Sequence, residues 1–201
     1  MCIDQQTSLN SFLLSIFASI FLIFRNNTFD IGNAVFIISF TTIQLLEYFI
    51  WKSINIPENN EYYTRLIPLV LFIQPIVQTY FAYKFTLNNT LYNLLIVYII
   101  MFVYIFVTIN NFNYQSTIGP NKHLIWYKID KITKEQSTVI KRHVLGYIYL
   151  IGMGIGLWYT GNYLLLSYGI LSFMYIFINY PEDEFSSMWC FVAIVYSLLC
   201  L

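Results

Sequence analysis

The 201-residue chain has ten basic and ten acidic side chains, so its charge cancels; only 10% of positions are charged while 58% are hydrophobic. A soluble domain carries about 25% charged residues. Charge this sparse excludes a water-facing globule and predicts an integral membrane protein, while the lack of a basic tract excludes nucleic acid as a partner.

The elements follow from apolar runs. Seven are expected: Leu9–Phe24, Asn33–Trp51, Leu66–Tyr83, Leu91–Ile109, His143–Tyr159, Tyr163–Tyr180 and Ser186–Leu201. Each approaches the ~20 residues that span hydrocarbon as a helix. Backbone groups in lipid must bond within their own segment, and no run shows the alternation of a membrane barrel strand. The expected fold is therefore one all-α domain over residues 1–201, a seven-transmembrane-helix bundle. Six helices with a half-inserted tail are the alternative, because the last run is short. The first run lacks a basic leader and an A-x-A-like site, so a retained helix is expected. Residue 2 is Cys, which fails the N-myristoylation motif.

Run 1 carries Ser8 and Ser11 near its start. Run 2 contains Gln44, Glu47 and Trp51, which share one helical face. Glu47 is one turn inside the expected boundary. A carboxylate costs ~2.5–3.5 kcal/mol at a bilayer centre, so Glu47 should face the interior and find a partner or take up a proton. Run 3 has Pro68 and Gln74-Pro75; proline frees a carbonyl one turn back, so a kink and a polar cavity lined by Gln74 and Gln78 are expected. The long 110–142 connection spaces Trp126, Ile129, Ile132 and Val139-Ile140 roughly helically. Its second part, 126–142, reads as an amphipathic helix on the membrane surface, with a solvated loop as alternative. Run 5 includes Gly152-x-x-x-Gly156. Small residues four apart permit close helix contact, either within the bundle or as a seam for a homo-oligomer.

Basic residues set the orientation. Lys52, Arg65, Lys122, Lys128, Lys131, Lys134, Lys141 and Arg142 share one face in a seven-helix threading; Arg25 and Lys84 lie on the other. The positive-inside rule then puts the N-terminus in the cytoplasm and the C-terminus in the lumen or outside, in an ER-derived, viral or host membrane. The sequons at Asn26 and Asn88 fall on the lumenal side, but close to the membrane, where glycosylation is inefficient.

This threading brings Cys2, Glu47, His123 and Cys190 to the cytoplasmic side. No pair has local metal-ligand or Cys–His catalytic spacing, so neither a metal nor a cofactor is read from them. Three cysteines without a C-x-x-C pair do not make a disulfide scaffold, and Cys200 reads as a packed thiol.

The ordered series Met1-Cys2 with Ser8 and Ser11, Gln44-x-x-Glu47-x-x-x-Trp51, Gln74-Pro75, His123-Leu124-x-Trp126 and Trp189-Cys190 resembles a family of multi-pass membrane proteins of mimivirus-like giant viruses. The resemblance adds weight to Glu47, Gln74, His123 and Trp189 but implies no activity. The leading expectation is a small solute or ion bound or passed at a cytoplasm-facing polar cavity. Its ligands would be Glu47, Gln44 and Gln74, with Trp51, His123, Trp126, Trp189 and Cys190 around it. The alternatives are a membrane-embedded enzyme using Cys190 or Cys2 with His123 and Glu47, and a structural or assembly protein without a site.

Overall fold

A computed structural model describes residues 4–139, 145–180 and 192–201. Helices α1 (Gln5–Arg25), α2 (Asp30–Lys52), α3 (Pro57–Thr86) and α4 (Asn89–Thr108) come first, followed by a 3-10 turn (Ile109–Asn111). Strands β1 (Phe112–Ile118), β2 (Leu124–Asp130) and β3 (Gln136–Thr138) follow; helices α5 (Leu145–Tyr159), α6 (Tyr163–Asn179) and α7 (Val192–Leu199) complete the fold.

The protein is mostly helical, and α1 to α4 are each long and apolar enough to cross a membrane, which is compatible with a membrane protein. Burial supports that reading. The most apolar of the four, α4, is the least buried, with 11% of its apolar window inside, whereas 56% of the α2 window is inside. Phe17, Phe21 and Phe24 point outward from α1, while Ser8, Ser11, Ser15 and Ser19 point inward. A soluble fold arranges these faces the other way round. The serine stripe keeps α1 slim, so its backbone can lie close to α2.

The all-α expectation is corrected by an antiparallel sheet of order β1-β2-β3, with Ser116 opposite Trp126 and Ile118 opposite Leu124. The amphipathic helix expected over 126–142 is not found among the described residues, which reach 139; β2 and β3 occupy its place. Helical spacing of four apolar residues lost to two stronger local signals. "FNYQSTI" and "LIWYKID" are rich in β-branched and aromatic residues, and Gly119-Pro120-Asn121-Lys122 between them is turn chemistry. Lys122 takes the left-handed conformation, φ 60°, and the Gly119 N–H donates to the His123 carbonyl at 2.7 Å. The β2–β3 turn is closed by Asp130, whose Oδ1 accepts the Ile132 and Thr133 N–H groups at 2.7 and 2.8 Å.

Helix α3 starts nine residues before the apolar run. Pro57 occupies its first turn, where a missing N–H costs nothing, and "PENNEYYTR" extends the helix beyond its apolar part. At 30 residues, α3 is ~45 Å long, against ~30 Å of hydrocarbon. The extension docks the sheet. Asn60 Nδ2 donates to the Ser116 carbonyl at 3.0 Å, and the Ser116 N–H donates to Asn60 Oδ1 at 2.8 Å. The Thr64 and Ser116 hydroxyls meet at 2.6 Å. Strand β1 is the edge of the sheet, and one amide side chain satisfies both outward-facing backbone groups of Ser116. Helix α3 is continuous through Pro68 and Pro75, the positions where the sequence places a kink.

At the opposite end, Arg25 and Asp30 clasp the α1–α2 turn with two 2.8 Å bonds. The Arg25 guanidinium also donates to the carbonyls of Cys200, at 2.9 Å, and Leu201. Ser197 of α7 donates to Ser15 of α1 at 3.1 Å, so α7 lies along α1.

Gly152 and Gly156 are buried against α3 and α4. A Cβ on Gly152 would come within 2.6 Å of both Pro75 Cβ and Tyr98 Cζ, and one on Gly156 within 3.1 Å of the Gln78 carbonyl. This surface packs within the chain, the first of the two uses the sequence allows.

Candidate functional site

Helix α2 is the most buried of the four long helices, and its inward face is partly polar. Thr41, Gln44 and Glu47 recur every three residues, and all three are 0% exposed. Thr41 Oγ1 donates to Gln44 Oε1 at 2.6 Å, which leaves the Gln44 amide N–H groups to point elsewhere. Ser8 and Glu47 are each seventeen residues from the Arg25–Asp30 clasp, and Ser11 and Gln44 are each fourteen. Equal helical rise therefore sets Ser8 at about the depth of Glu47, and Ser11 at about that of Gln44. Both serines are buried, Ser8 fully and Ser11 at 4% exposed. Thr41, Gln44 and Glu47 thus make a buried polar face on α2, and buried Ser8 and Ser11 of the neighbouring α1 lie at matching levels, with the Ser8 hydroxyl donating to the Asp4 carbonyl at 3.1 Å.

The expected residues divide by level. Gln74 is also 0% exposed, but its Nε2 donates to the Ser39 carbonyl at 3.4 Å. Ser39 is eight residues from Glu47, ~12 Å along α2, but only two from Thr41, so Gln74 meets α2 at a second level beside the Thr41 end of the polar face. Gln78 and Thr79 continue that level along α3.

On the other side of Glu47 is an aromatic layer beneath the sheet. Trp126 is 2% exposed and His123 3%, so both are buried beneath the hairpin. The His123 ring meets Tyr180 edge-on at 6.1 Å. Trp51 is half-buried and packs on the same apolar cluster as Ile50, Leu124 and Trp126. The indole N–H groups of Trp51 and Trp126 are buried with no hydrogen-bond partner among the described residues. Tyr114, on the inner face of β1, is 5% exposed, and burial pushes its phenol up to about 12. The layer thus stays uncharged at its tyrosine across the ordinary pH range.

Cys2, Trp189 and Cys190 lie outside the described residues. The sequence missed three contributors: Thr41, Asn60 and Ser116. Thr41 was detectable, because it lies three residues before Gln44 and completes the polar face. Asn60 and Ser116 are 56 positions apart, and nothing local marks them as partners.

Glu47 is fully buried in the structure described. Glu47 lines none of three clefts in the protein, namely an apolar one between α2, α5 and α6, one beside Gly161, and one between α3, α4 and the sheet. The expectation of an open cavity at Glu47 therefore becomes one of an occluded polar layer. Among the described residues, no group of three or more His, Cys, Asp or Glu side chains is arranged to hold a metal ion. No protein-family model, curated protein or solved structure matches this chain.

Proposed function

We propose that this is a multi-pass membrane protein that binds or passes a small solute or ion at the occluded polar layer of Ser8, Ser11, Gln44 and Glu47. The observation that carries this reading is the complete burial of Glu47 on the most buried long helix of a bundle with an apolar exterior. Carboxylates at such depth are expensive, face bundle interiors, and mark ion, proton or solute pathways. The second polar level at Gln74 and Gln78 extends polarity inward along α3, as a route through the bundle requires.

The finer topology belongs to the same proposal. Seven spans, with the N-terminus and the sheet cytoplasmic and the C-terminus lumenal, agree with eight basic residues on one face against two on the other. The packing of α7 along α1, from Ser197 at Ser15 to the Arg25 clasp, supports a last segment that runs within the bundle. Reporters fused to each terminus test it; a lumenal N-terminus refutes the orientation. The giant-virus resemblance stays part of the proposal and contributes no chemistry.

The function is tested in proteoliposomes loaded with a pH-sensitive dye and, in parallel, with sodium and potassium indicators. Wild-type protein should move protons or a monovalent cation faster than empty vesicles, and Glu47→Gln should abolish that movement while keeping its melting temperature. If wild-type and Glu47→Gln vesicles behave alike, or if Glu47→Leu raises the melting temperature with no other effect, Glu47 only packs helices. The enzymatic alternative depends on Cys2 and Cys190 and gains no geometry here.

A further inference from the structure

The largest of the three clefts is remote from Glu47. It has a volume of about 710 Å³, lies between α3, α4 and the sheet, and falls in the size range of small-molecule sites. Its two halves differ in chemistry. The inner half is apolar, built from Pro68 and Phe72 of α3 with Met101 and Ile105 of α4. The outer half lies beyond the last turn of α4, where Asn110, Asn111, Lys128 and Lys131 stand. The apolar half also opens sideways: Ile100 is 62% exposed and Tyr104 69%, on the outward face of α4.

The mouth is cationic. Lys131 Nζ donates to the Asn110 carbonyl at 2.8 Å, which holds the ammonium over the cleft and leaves it further donors. Lys128 Nζ stands 5.0 Å from the centre of the Phe112 ring, also a wall of the cleft. Asp130 is the one acid among the lining residues described, and its Oδ1 is occupied by the Ile132 and Thr133 amides. Two lysines against one aspartate leave a net positive charge.

We infer that this cleft is a binding site for an anionic membrane phospholipid, with its phosphate between Lys128 and Lys131 and an acyl chain on Pro68, Phe72, Met101 and Ile105. Charge complementarity selects the headgroup, and the exposed face at Ile100 and Tyr104 lets the chain enter from the bilayer without crossing water. A free phosphate would use only the outer half, and a neutral apolar solute only the inner half. This site is independent of the solute reading at Glu47, because the two share no residue.

The test is native mass spectrometry of the full-length protein in detergent, titrated with phosphatidylglycerol and with phosphatidylcholine of the same chains. Phosphatidylglycerol should bind more tightly. A basic residue near an anionic lipid surface is worth about fivefold in affinity, so Lys128→Gln and Lys131→Gln should each lower phosphatidylglycerol binding about fivefold and leave phosphatidylcholine unchanged. Met101→Trp fills the apolar half and should lower both. Lys84→Gln, exposed at the far end of α3, should change neither. The inference is overturned if the two lipids bind equally or if both lysine variants retain wild-type binding. Competition by glycerol phosphate as effectively as by the lipid also overturns it, since that reads the site as one for free anions. Lys131 is exposed and Lys128 half-buried, and neither is part of the core, so these outcomes remain decisive even if Met101→Trp fails to fold.

Discussion

Asn60→Ala is the sharpest test of how the sheet is held. Asn60 is 3% exposed and Ser116 2%, and their amide-to-backbone bonds measure 2.8 and 3.0 Å. Truncation leaves one buried N–H and one buried carbonyl unsatisfied, each worth ~1–3 kcal/mol. Water can reach this end of α3 once the sheet shifts, so the lower part of the sum applies, about 2–4 kcal/mol. Asn60→Asp still accepts the Ser116 N–H but has no donor for the carbonyl, and about half the loss is expected. Thr64→Val removes the hydroxyl pair with Ser116 and the longer 3.3 Å bond to Asn60 Oδ1 but leaves the amide clamp, and should cost ~1 kcal/mol. Thermal unfolding in detergent gives the ranking. Hydrogen exchange at the Ser116 amide shows whether the sheet has come off, and trypsin cleavage at Lys122 shows whether its turn has opened. If Asn60→Ala stays within ~0.5 kcal/mol of wild type with Ser116 still protected, the sheet is held by its apolar face alone and the clamp argument fails.

The glycines of α5 and α6 make a graded series. Gly152→Ala drives a Cβ to 2.6 Å from the Pro75 ring, which is fixed to the α3 backbone, and from the far end of Tyr98, and should destabilise by ~1–3 kcal/mol. Gly156→Ala, at 3.1 Å, should cost less; Gly169, with nothing within 4 Å, should accept Ala neutrally or gain up to ~1 kcal/mol. Equal melting temperatures for all three would refute the packing described. Asp130 supplies the pH test. The Thr133 and then the Ile132 N–H hold its carboxyl below the usual carboxylate range. Its support of the β2–β3 turn is therefore complete above the unfolded pKa of ~3.9 and is lost as pH falls through the lower folded value. An NMR titration should show that depressed midpoint with the Ile132 and Thr133 amides shifting together; a midpoint at or above the unfolded reference rejects the turn assignment.

The helices and the interior position of Glu47 were legible in the sequence because their causes are local. Apolar runs of near-membrane length must bond internally, and a carboxylate flanked by Gln44 and Trp51 at helical spacing has only one face to share. The polar extension of α3 was not legible, since "PENNEYYTR" is too hydrophilic to stand out from a loop and is helical because the sheet packs on it. The sheet itself was misread, as Trp126, Ile129 and Ile132 fit a helical period as well as a hairpin, and the choice fell to the Gly119–Lys122 turn and to Asn60, 56 positions from its partner. The depth of Gln74 also depended on tertiary structure. Sequence offset measures distance within one helix, but the level of Gln74 against α2 is set by how far α3 slides along it, and the Ser39 carbonyl is where that sliding stopped. Only the packed bundle could decide that Gly152 and Gly156 face Pro75, Tyr98 and Gln78 rather than a second molecule, because a small residue permits close approach without specifying what approaches.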